Sequence, residues 1–309
     1  MFQGLPTTGL VVPLGAPASG KSLFAELAFP VGSRLSTDAF RALAGGNADN
    51  LDVTVPAHAL LAGVAAQRLA SGLLTVVDST GTDATLMATL KEAAKHCECP
   101  IHYIHVQASL DECLRRNAAR VTGRVPDAAI LRIAGEVERT VAGLVEAGVP
   151  VSPGRSFLDQ RLSGRRLFVA MPITEFMGRD TFRADKRALS ERIHGALALC
   201  GASVASAALN EHYGATRLPA AGYADYDVRE ILAADCLLVW TTSSLSPDTY
   251  LEIGVAVGAG KPVGIVLPER CHRSGMLRGL QDLGRVTAAT FDLDADLPRT
   301  LAGLAASLT

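Results

Sequence analysis

The sequence lacks any apolar run that could cross a membrane and any marked excess of charge. No apolar stretch reaches about 18 residues, which excludes a transmembrane helix. The net charge of −2 gives the chain as a whole no attraction to nucleic acid or to a membrane, although a local basic groove is compatible with it. No basic segment precedes the first glycine-rich motif, so we expect no signal peptide and a cytoplasmic protein.

The sequence also lacks a cysteine framework. The six cysteines are scattered, mostly in apolar surroundings, as expected of reduced core residues. The short run from His96 to Cys99 has no second cluster elsewhere in the sequence, so we expect no metal there.

What the chain does contain is a repeated alternation of short apolar strands and helices. Its 309 residues, 49% hydrophobic and 19% charged, are enough for two packed domains. The alternation runs through residues 1–150 and starts again over 166–309, whereas residues 151–165 are rich in Pro, Gly, Ser and Arg and are interpreted as a linker. The predicted fold class is α/β, with two doubly wound parallel-sheet domains.

The first motif is GAPASGKS, which fits G-x-x-x-x-G-K-[ST] and lies between a predicted strand and a predicted helix. In such a loop the backbone around Gly15, Ser19 and Gly20 closes on phosphates. Lys21 reaches the β- and γ-phosphates, and Ser22 binds Mg²⁺. The motif therefore predicts ATP and Mg²⁺ as cofactors.

Acidic and basic residues later in the first half are typical of phosphoryl transfer. Asp38, in the run LSTDAFR, can take the proton from an attacking hydroxyl. Asp78 ends a buried strand and can hold Mg²⁺ directly or through water. The segment 114–130 carries four arginines before a helix and is interpreted as a mobile lid that neutralises phosphate charge.

On these motifs, residues 8–145 resemble the polynucleotide-kinase-like group of P-loop kinases. The resemblance implies a P-loop kinase fold, with Asp38 as the base for a 5′-hydroxyl and Arg41 on acceptor phosphate. It also implies that Arg120 and Arg124 bind phosphate. The group includes kinases of small molecules, so a nucleoside and a nucleic-acid 5′ end are both possible acceptors.

The second half contains one carboxylate, Glu252, inside an otherwise apolar helical run. A buried, unpaired carboxylate costs several kcal/mol. Glu252 is therefore at a cleft, paired, or functional. The stretches 166–173, 226–235 and 243–263 each place polar residues at the carboxyl edge of a parallel sheet, where ligands bind in such folds.

These stretches make residues 166–285 resemble the nucleoside 2-deoxyribosyltransferase-like family, and in particular its 5′-monophosphate N-glycoside hydrolases. The resemblance implies a flavodoxin-like fold with Glu252 as nucleophile or stabiliser at the anomeric carbon. The resemblance also implies that Asp227 supports leaving-group protonation or orients the nucleophile, and that Ser246 and Ser274 bind the 5′-phosphate. In the family the second serine comes from a partner subunit, so a homodimer through the C-terminal domain is expected.

Together, the motifs and resemblances predict a bifunctional enzyme. It phosphorylates a 5′-hydroxyl with ATP and hydrolyses the N-glycosidic bond of a nucleoside 5′-monophosphate, giving free base and (deoxy)ribose 5-phosphate. Three alternatives are a nucleic-acid 5′-end kinase with a base-removing domain, a kinase regulated by a nucleotide-sensing domain, and an NAD glycosidase. No membrane partner is expected.

Overall fold

The structure is a computed structural model that describes residues 2–308 except 121, 122, 159, 217, 272 and 295. The chain divides into two compact units at the boundary between residues 158 and 159. Within the described residues, no helix is both long enough and apolar enough to span a bilayer.

The described residues of the first unit form five strands and six α-helices. The strands are β1 (Leu10–Leu14), β2 (Arg34–Ser36), β3 (Thr75–Asp78), β4 (Ile101–His105) and β5 (Val151–Pro153). The helices are α1 (Lys21–Ala28), α2 (Thr37–Gly45), α3 (Thr54–Ala70), α4 (Ala84–His96), α5 (Leu110–Ala118) and α6 (Asp127–Glu146).

The five strands form one parallel sheet in the order β2-β3-β1-β4-β5. The middle strand β1 is buried along its whole length because helices cover both faces of a parallel sheet. Its side chains Leu10, Val12 and Leu14 pack with Leu61 and Leu90 in the core. The carboxyl ends of β1, β2 and β3 meet at one edge.

The interpretation of residues 151–165 as a linker is wrong for its first three residues. Val151–Pro153 form β5, and Tyr103 of β4 pairs with Val151. A three-residue strand is too short to show periodicity, and its proline suggested a loop. As an edge strand, however, β5 tolerates a residue that cannot donate a ladder hydrogen bond.

In the part of the second unit that the structure describes, there are five strands and seven α-helices. The strands are β6 (Arg166–Ala170), β7 (Ser203–Ala205), β8 (Cys236–Trp240), β9 (Val263–Pro268) and β10 (Val286–Phe291). The helices are α7 (Ile173–Phe176), α8 (Ala184–Leu199), α9 (Ala207–Asn210), α10 (Ala220–Ala233), α11 (Pro247–Gly258), α12 (Gly275–Asp282) and α13 (Leu297–Leu308).

The second sheet is also parallel, with the order β10-β9-β8-β6-β7. Counted from β6, this is the flavodoxin-like order 2-1-3-4-5, whose strand order reverses between β6 and β8. The core joins Phe168, Val239 and Ile265 of the sheet to Ile253 and Leu277 of the helices. The two sheets confirm the predicted α/β class with two doubly wound units.

Candidate active sites

The phosphate loop joins the buried strand β1 to α1. A Cβ added at Gly15 would lie 2.5 Å from Ser19 Oγ and 2.9 Å from the carbonyl oxygen of Val106, so the loop closes tightly at this glycine. Gly20 precedes α1 with φ of 96°, a left-handed conformation that glycine adopts without strain. Both glycines of the motif are therefore required by the backbone.

The loop has an unused polar group where a phosphate would bind. Ser19 is 2% exposed, and its Oγ finds no hydrogen-bond partner among the described residues. A buried hydroxyl without a partner is costly, and a phosphate oxygen would satisfy it. The loop thus fits the triphosphate of ATP.

Lys21, Ser22 and Asp78 lie together at the start of α1. Ser22 Oγ donates a hydrogen bond to Asp78 Oδ1 at 3.1 Å. Burial lowers the pKa of Lys21 and raises the pKa of Asp78, whereas the opposite charges of the pair counteract both shifts. A hydroxyl and a carboxylate are hard oxygen ligands of the kind Mg²⁺ prefers, so these residues fit that ion.

Asp38 lies at the same edge because β2 is paired with β3, with Ser36 opposite Asp78. Its side chain is 67% exposed, which leaves it open to an acceptor, and it forms an ion pair with the more buried Arg41. Arg41 Nε in turn donates to the carbonyl oxygen of Ala48 at 2.7 Å. Arg41 therefore fixes the orientation of the Asp38 carboxylate.

The two arginines predicted to bind phosphate, Arg120 and Arg124, differ in their relation to the phosphate loop. Arg120 lies close enough to Lys21 for its charge to contribute to lowering the lysine's pKa. Arg124 is exposed, and within the described part of the chain no hydrogen bond or ion pair joins it to the phosphate loop. Arg116 Nη1, by contrast, donates to the carbonyl oxygen of Ser19 at 3.2 Å. The segment 114–130 includes residues 121 and 122, which lie outside the described residues.

The second site is a group of carboxyls carried by α10, α11 and the chain after α9. Burial raises the pKa of Asp227 to about 7, helped by the charges of Glu211 and Asp248. Burial also raises the pKa of Glu252 well above its ordinary value, and Asp227 and Asp248 add to that shift. Asp227 Oδ1 is buried without a hydrogen-bond partner among the described residues. Glu252 and Asp227 are thus neighbours, and burial together with their mutual repulsion opposes the ionisation of both.

The two predicted phosphate-binding serines both begin helices. Ser246 Oγ accepts from the backbone N–H of Thr249 at 3.2 Å, and Ser274 Oγ accepts from Leu277 N–H at 3.2 Å. These are N-cap hydrogen bonds. Ser246 Oγ also lies 2.9 Å from Thr249 Oγ1, a contact in which either hydroxyl can donate. The adjacent helix N-termini favour an anion. The serines follow the neighbouring strands β8 and β9, so they lie at the same sheet edge.

Three acidic residues near the second site are absent from the sequence prediction. Asp248 lies four residues before Glu252 on α11, a spacing that could have revealed it. Glu211 has no sequence signal, because only the fold brings it to Asp227. Glu175 follows β6 and accepts hydrogen bonds from the hydroxyls of Ser243 and Ser244. It joins the loops after β6 and β8 at the point where the strand order reverses.

Comparison with known proteins identifies the first of the two units. Residues 10–140 match the family model described as an AAA domain. With the motif and the sheet order described above, this match confirms a P-loop kinase-like domain in the N-terminal half. No curated protein matches the chain.

Solved structures align with part of the chain or with nearly all of it, at low TM-scores. A CMP N-glycosidase from Clostridium botulinum, BcmB, is 20% identical with a TM-score of 0.34, covering 44% of this chain and 98% of its own. A gluconokinase from Sinorhizobium meliloti is 19% identical with a TM-score of 0.27, covering 45% and 97%. The Pnkp1/Rnl/Hen1 RNA repair complex is 12% identical with a TM-score of 0.39, covering 97% and 95%. All three TM-scores are below 0.5, so no function is assigned from them.

Proposed function

We propose that this protein is a bifunctional enzyme that phosphorylates a 5′-hydroxyl and then cleaves the N-glycosidic bond of the resulting nucleoside 5′-monophosphate. The observation that carries the proposal is the neighbouring carboxyl pair of Asp227 and Glu252 at the edge of a flavodoxin-like sheet. The same chain carries a phosphate loop that could supply the 5′-phosphate. The enzyme acts as a cytoplasmic homodimer through its C-terminal domain.

In the kinase domain, the acceptor hydroxyl oxygen attacks the γ-phosphorus of ATP, and ADP leaves. The hydroxyl proton passes to the carboxylate of Asp38, which Arg41 orients. Lys21 and Arg120 neutralise the charge that spreads over the transferring phosphoryl group. Ser22 and Asp78 would hold Mg²⁺, which neutralises the phosphate oxygens when bound.

In the C-terminal domain, the two carboxyls of the pair have different roles in breaking the C1′–N bond. Protonated Asp227 gives its proton to the leaving base, either directly or through water. The positive charge that develops at C1′ opposes the raised pKa of Glu252, so its carboxyl gives up its proton to water and, once ionised, stabilises or attacks that carbon. Water then adds at C1′, passes one proton to the Asp227 carboxylate, and yields (deoxy)ribose 5-phosphate.

The phosphate preference rests on the two serines at the helix N-termini. A serine hydroxyl donates to a phosphate, whereas an acid in its place would repel the phosphate and instead hold a free 5′-hydroxyl. Ser246 and Ser274 therefore favour monophosphates over nucleosides. This preference makes the product of the kinase domain the substrate of the glycosidase domain.

The test is free-base release from a panel of nucleosides, their 5′-monophosphates, NAD and 5′-hydroxyl oligonucleotides, each with and without ATP–Mg²⁺. We expect a monophosphate to be cleaved without ATP and its nucleoside only with ATP. The variant Lys21→Ala should abolish cleavage of the nucleoside and leave cleavage of the monophosphate intact. Glu252→Gln should abolish both and leave phosphorylation intact.

Other outcomes of the panel contradict the proposal in different ways. Cleavage of a free nucleoside without ATP would contradict the order of the two reactions. Release of nicotinamide from NAD alone would make the second domain an NAD glycosidase. If no base is released but ligands stabilise the second domain, that domain is a nucleotide sensor. Phosphorylation of oligonucleotides far above nucleosides would make the first domain an end-processing kinase.

A further inference from the structure

The last turn of α5 contains a buried asparagine whose amide pairs with a distant piece of backbone. Asn117 is 0% exposed. Its Oδ1 accepts from the N–H of Val125 at 2.9 Å, and its Nδ2 donates to the carbonyl oxygen of Val125 at 2.7 Å. One side-chain amide thus satisfies both polar groups of one residue, as a neighbouring strand would.

These two bonds tie together the ends of the segment between α5 and α6. Asn117 Nδ2 also lies 3.4 Å from Oδ1 of Asp127, the first residue of α6. The residues between Asn117 and Val125 include Arg120, whose Nη1 donates to the carbonyl oxygen of Gly123 at 3.1 Å. Arg120 thus binds the backbone of Gly123, two residues before the Val125 that Asn117 holds.

The preceding residue attaches the same helical turn to the phosphate loop. Arg116 donates from Nη1 to the Ser19 carbonyl oxygen at 3.2 Å, and its Nε lies 2.6 Å from Glu112 Oε1. The successive residues Arg116 and Asn117 of α5 thus bind the backbone of Ser19 in the phosphate loop and the backbone of Val125.

We propose that Asn117 is a positioning residue for phosphoryl transfer, which holds Arg120 at the phosphate site through its paired hydrogen bonds to Val125. The proposal rests on the proposed kinase function. An aspartate of the same shape would present a second acceptor to the Val125 carbonyl oxygen and a like charge to Asp127. Alanine would leave both backbone groups of Val125 unpaired.

The test is a double-mutant cycle in the full-length protein with Arg120→Ala, Asn117→Asp and the combined variant. The readout is kcat and KM for Mg–ATP, measured as phosphate release without acceptor and as transfer to the best acceptor of the panel. Each single variant should lower kcat by at least about tenfold, since an active-site group displaced by 1 Å can cost about 10²-fold. The combined variant should be no more than about twofold slower than Arg120→Ala.

If Asn117 has only a structural role, the losses in kcat of the two single variants should multiply in the combined variant. That result would overturn the inference. If Asn117→Asp does not fold, Asn117→Ser completes the same cycle. Arg132→Ala is the matched control, because Arg132 is an exposed arginine of α6 paired with Glu136. Its effect on kcat should multiply with the effect of Asn117→Asp when the two are combined. If Lys21→Ala abolishes transfer while Arg120→Ala equals the wild type, only this inference is wrong. If Lys21→Ala retains transfer, the proposed kinase function itself is wrong.

Discussion

Replacing Asp227 with asparagine should stabilise the second domain at alkaline pH while it removes activity. Asp227 takes up a proton on folding because burial and the neighbouring charges of Glu211 and Asp248 raise its pKa to about 7. Above its unfolded pKa, near 3.8, such a group destabilises the folded state increasingly until the pH passes the folded pKa. Asparagine resembles the protonated form and never ionises, so it avoids this cost.

The size of the effect follows from the pKa difference. One pKa unit corresponds to about 1.4 kcal/mol, so the full difference corresponds to roughly 4 kcal/mol at pH 8. The carboxyl is partly open to water, which screens its neighbours, and we halve the figure to about 2 kcal/mol. At pH 5, only about one pH unit above the unfolded pKa, little of this cost has accumulated, and the gain should fall below about 1 kcal/mol.

The assay uses the single tryptophan of the chain. Trp240 is 0% exposed at the end of β8, so its fluorescence reports unfolding of the second unit. Urea unfolding followed by this signal at pH 5 and pH 8 gives the free energy of unfolding of each variant. The control is Asp225→Asn on the same helix, because Asp225 is 76% exposed and paired with Arg229.

The result that refutes this reasoning is a gain for Asp227→Asn that is absent at pH 8, or equal at the two pH values. The control should show no gain at either pH. Base release from the monophosphate should fall by about 10²–10⁴-fold in Asp227→Asn if Asp227 protonates the leaving group. In wild-type protein, base release should fall as the pH rises through about 7, where Asp227 loses its proton.

Three further predictions concern individual residues of the two sites. Gly15→Ala should weaken Mg–ATP binding at least about tenfold in a direct titration, because its Cβ would meet Ser19 Oγ and a backbone oxygen; unchanged affinity would contradict the tight closure of the loop. Asp38→Asn should lower kcat for phosphoryl transfer about 10²-fold or more with little change in ATP KM, and an unchanged kcat would remove its role as base. Ser246→Asp should raise KM for a monophosphate at least about tenfold and improve cleavage of the free nucleoside; equal losses on both substrates would mean that Ser246 acts only as a helix cap.

The fold class and most strands followed from the sequence because parallel sheets leave a clear pattern. Strands such as Leu10–Leu14 and Cys236–Trp240 are buried on both faces and therefore read as short continuous apolar runs. The phosphate loop could also be predicted from the sequence, because local backbone geometry requires its glycines. By contrast, Val151–Pro153 could not be recognised as a strand, since only pairing with β4 makes it one.

The helix that carries Asp227 shows a similar limit. The helix α10 begins at Ala220, directly after Pro219, a start that the sequence marks only weakly. The first turn contains alanines and a glycine, which carry little apolar periodicity, and the proline that precedes it can stand equally in a turn.

By itself, the sequence determined the two sheets, the phosphate loop and the identity of isolated polar residues such as Glu252. Periodicity and short motifs encode these features because they depend on near neighbours in the chain. Only the tertiary structure decided which charges face one another. Glu211 reaches Asp227 and Arg116 reaches Ser19 across segments that share no sequence signal. The raised pKa values, and with them the chemistry of the second site, arise from burial among those distant groups.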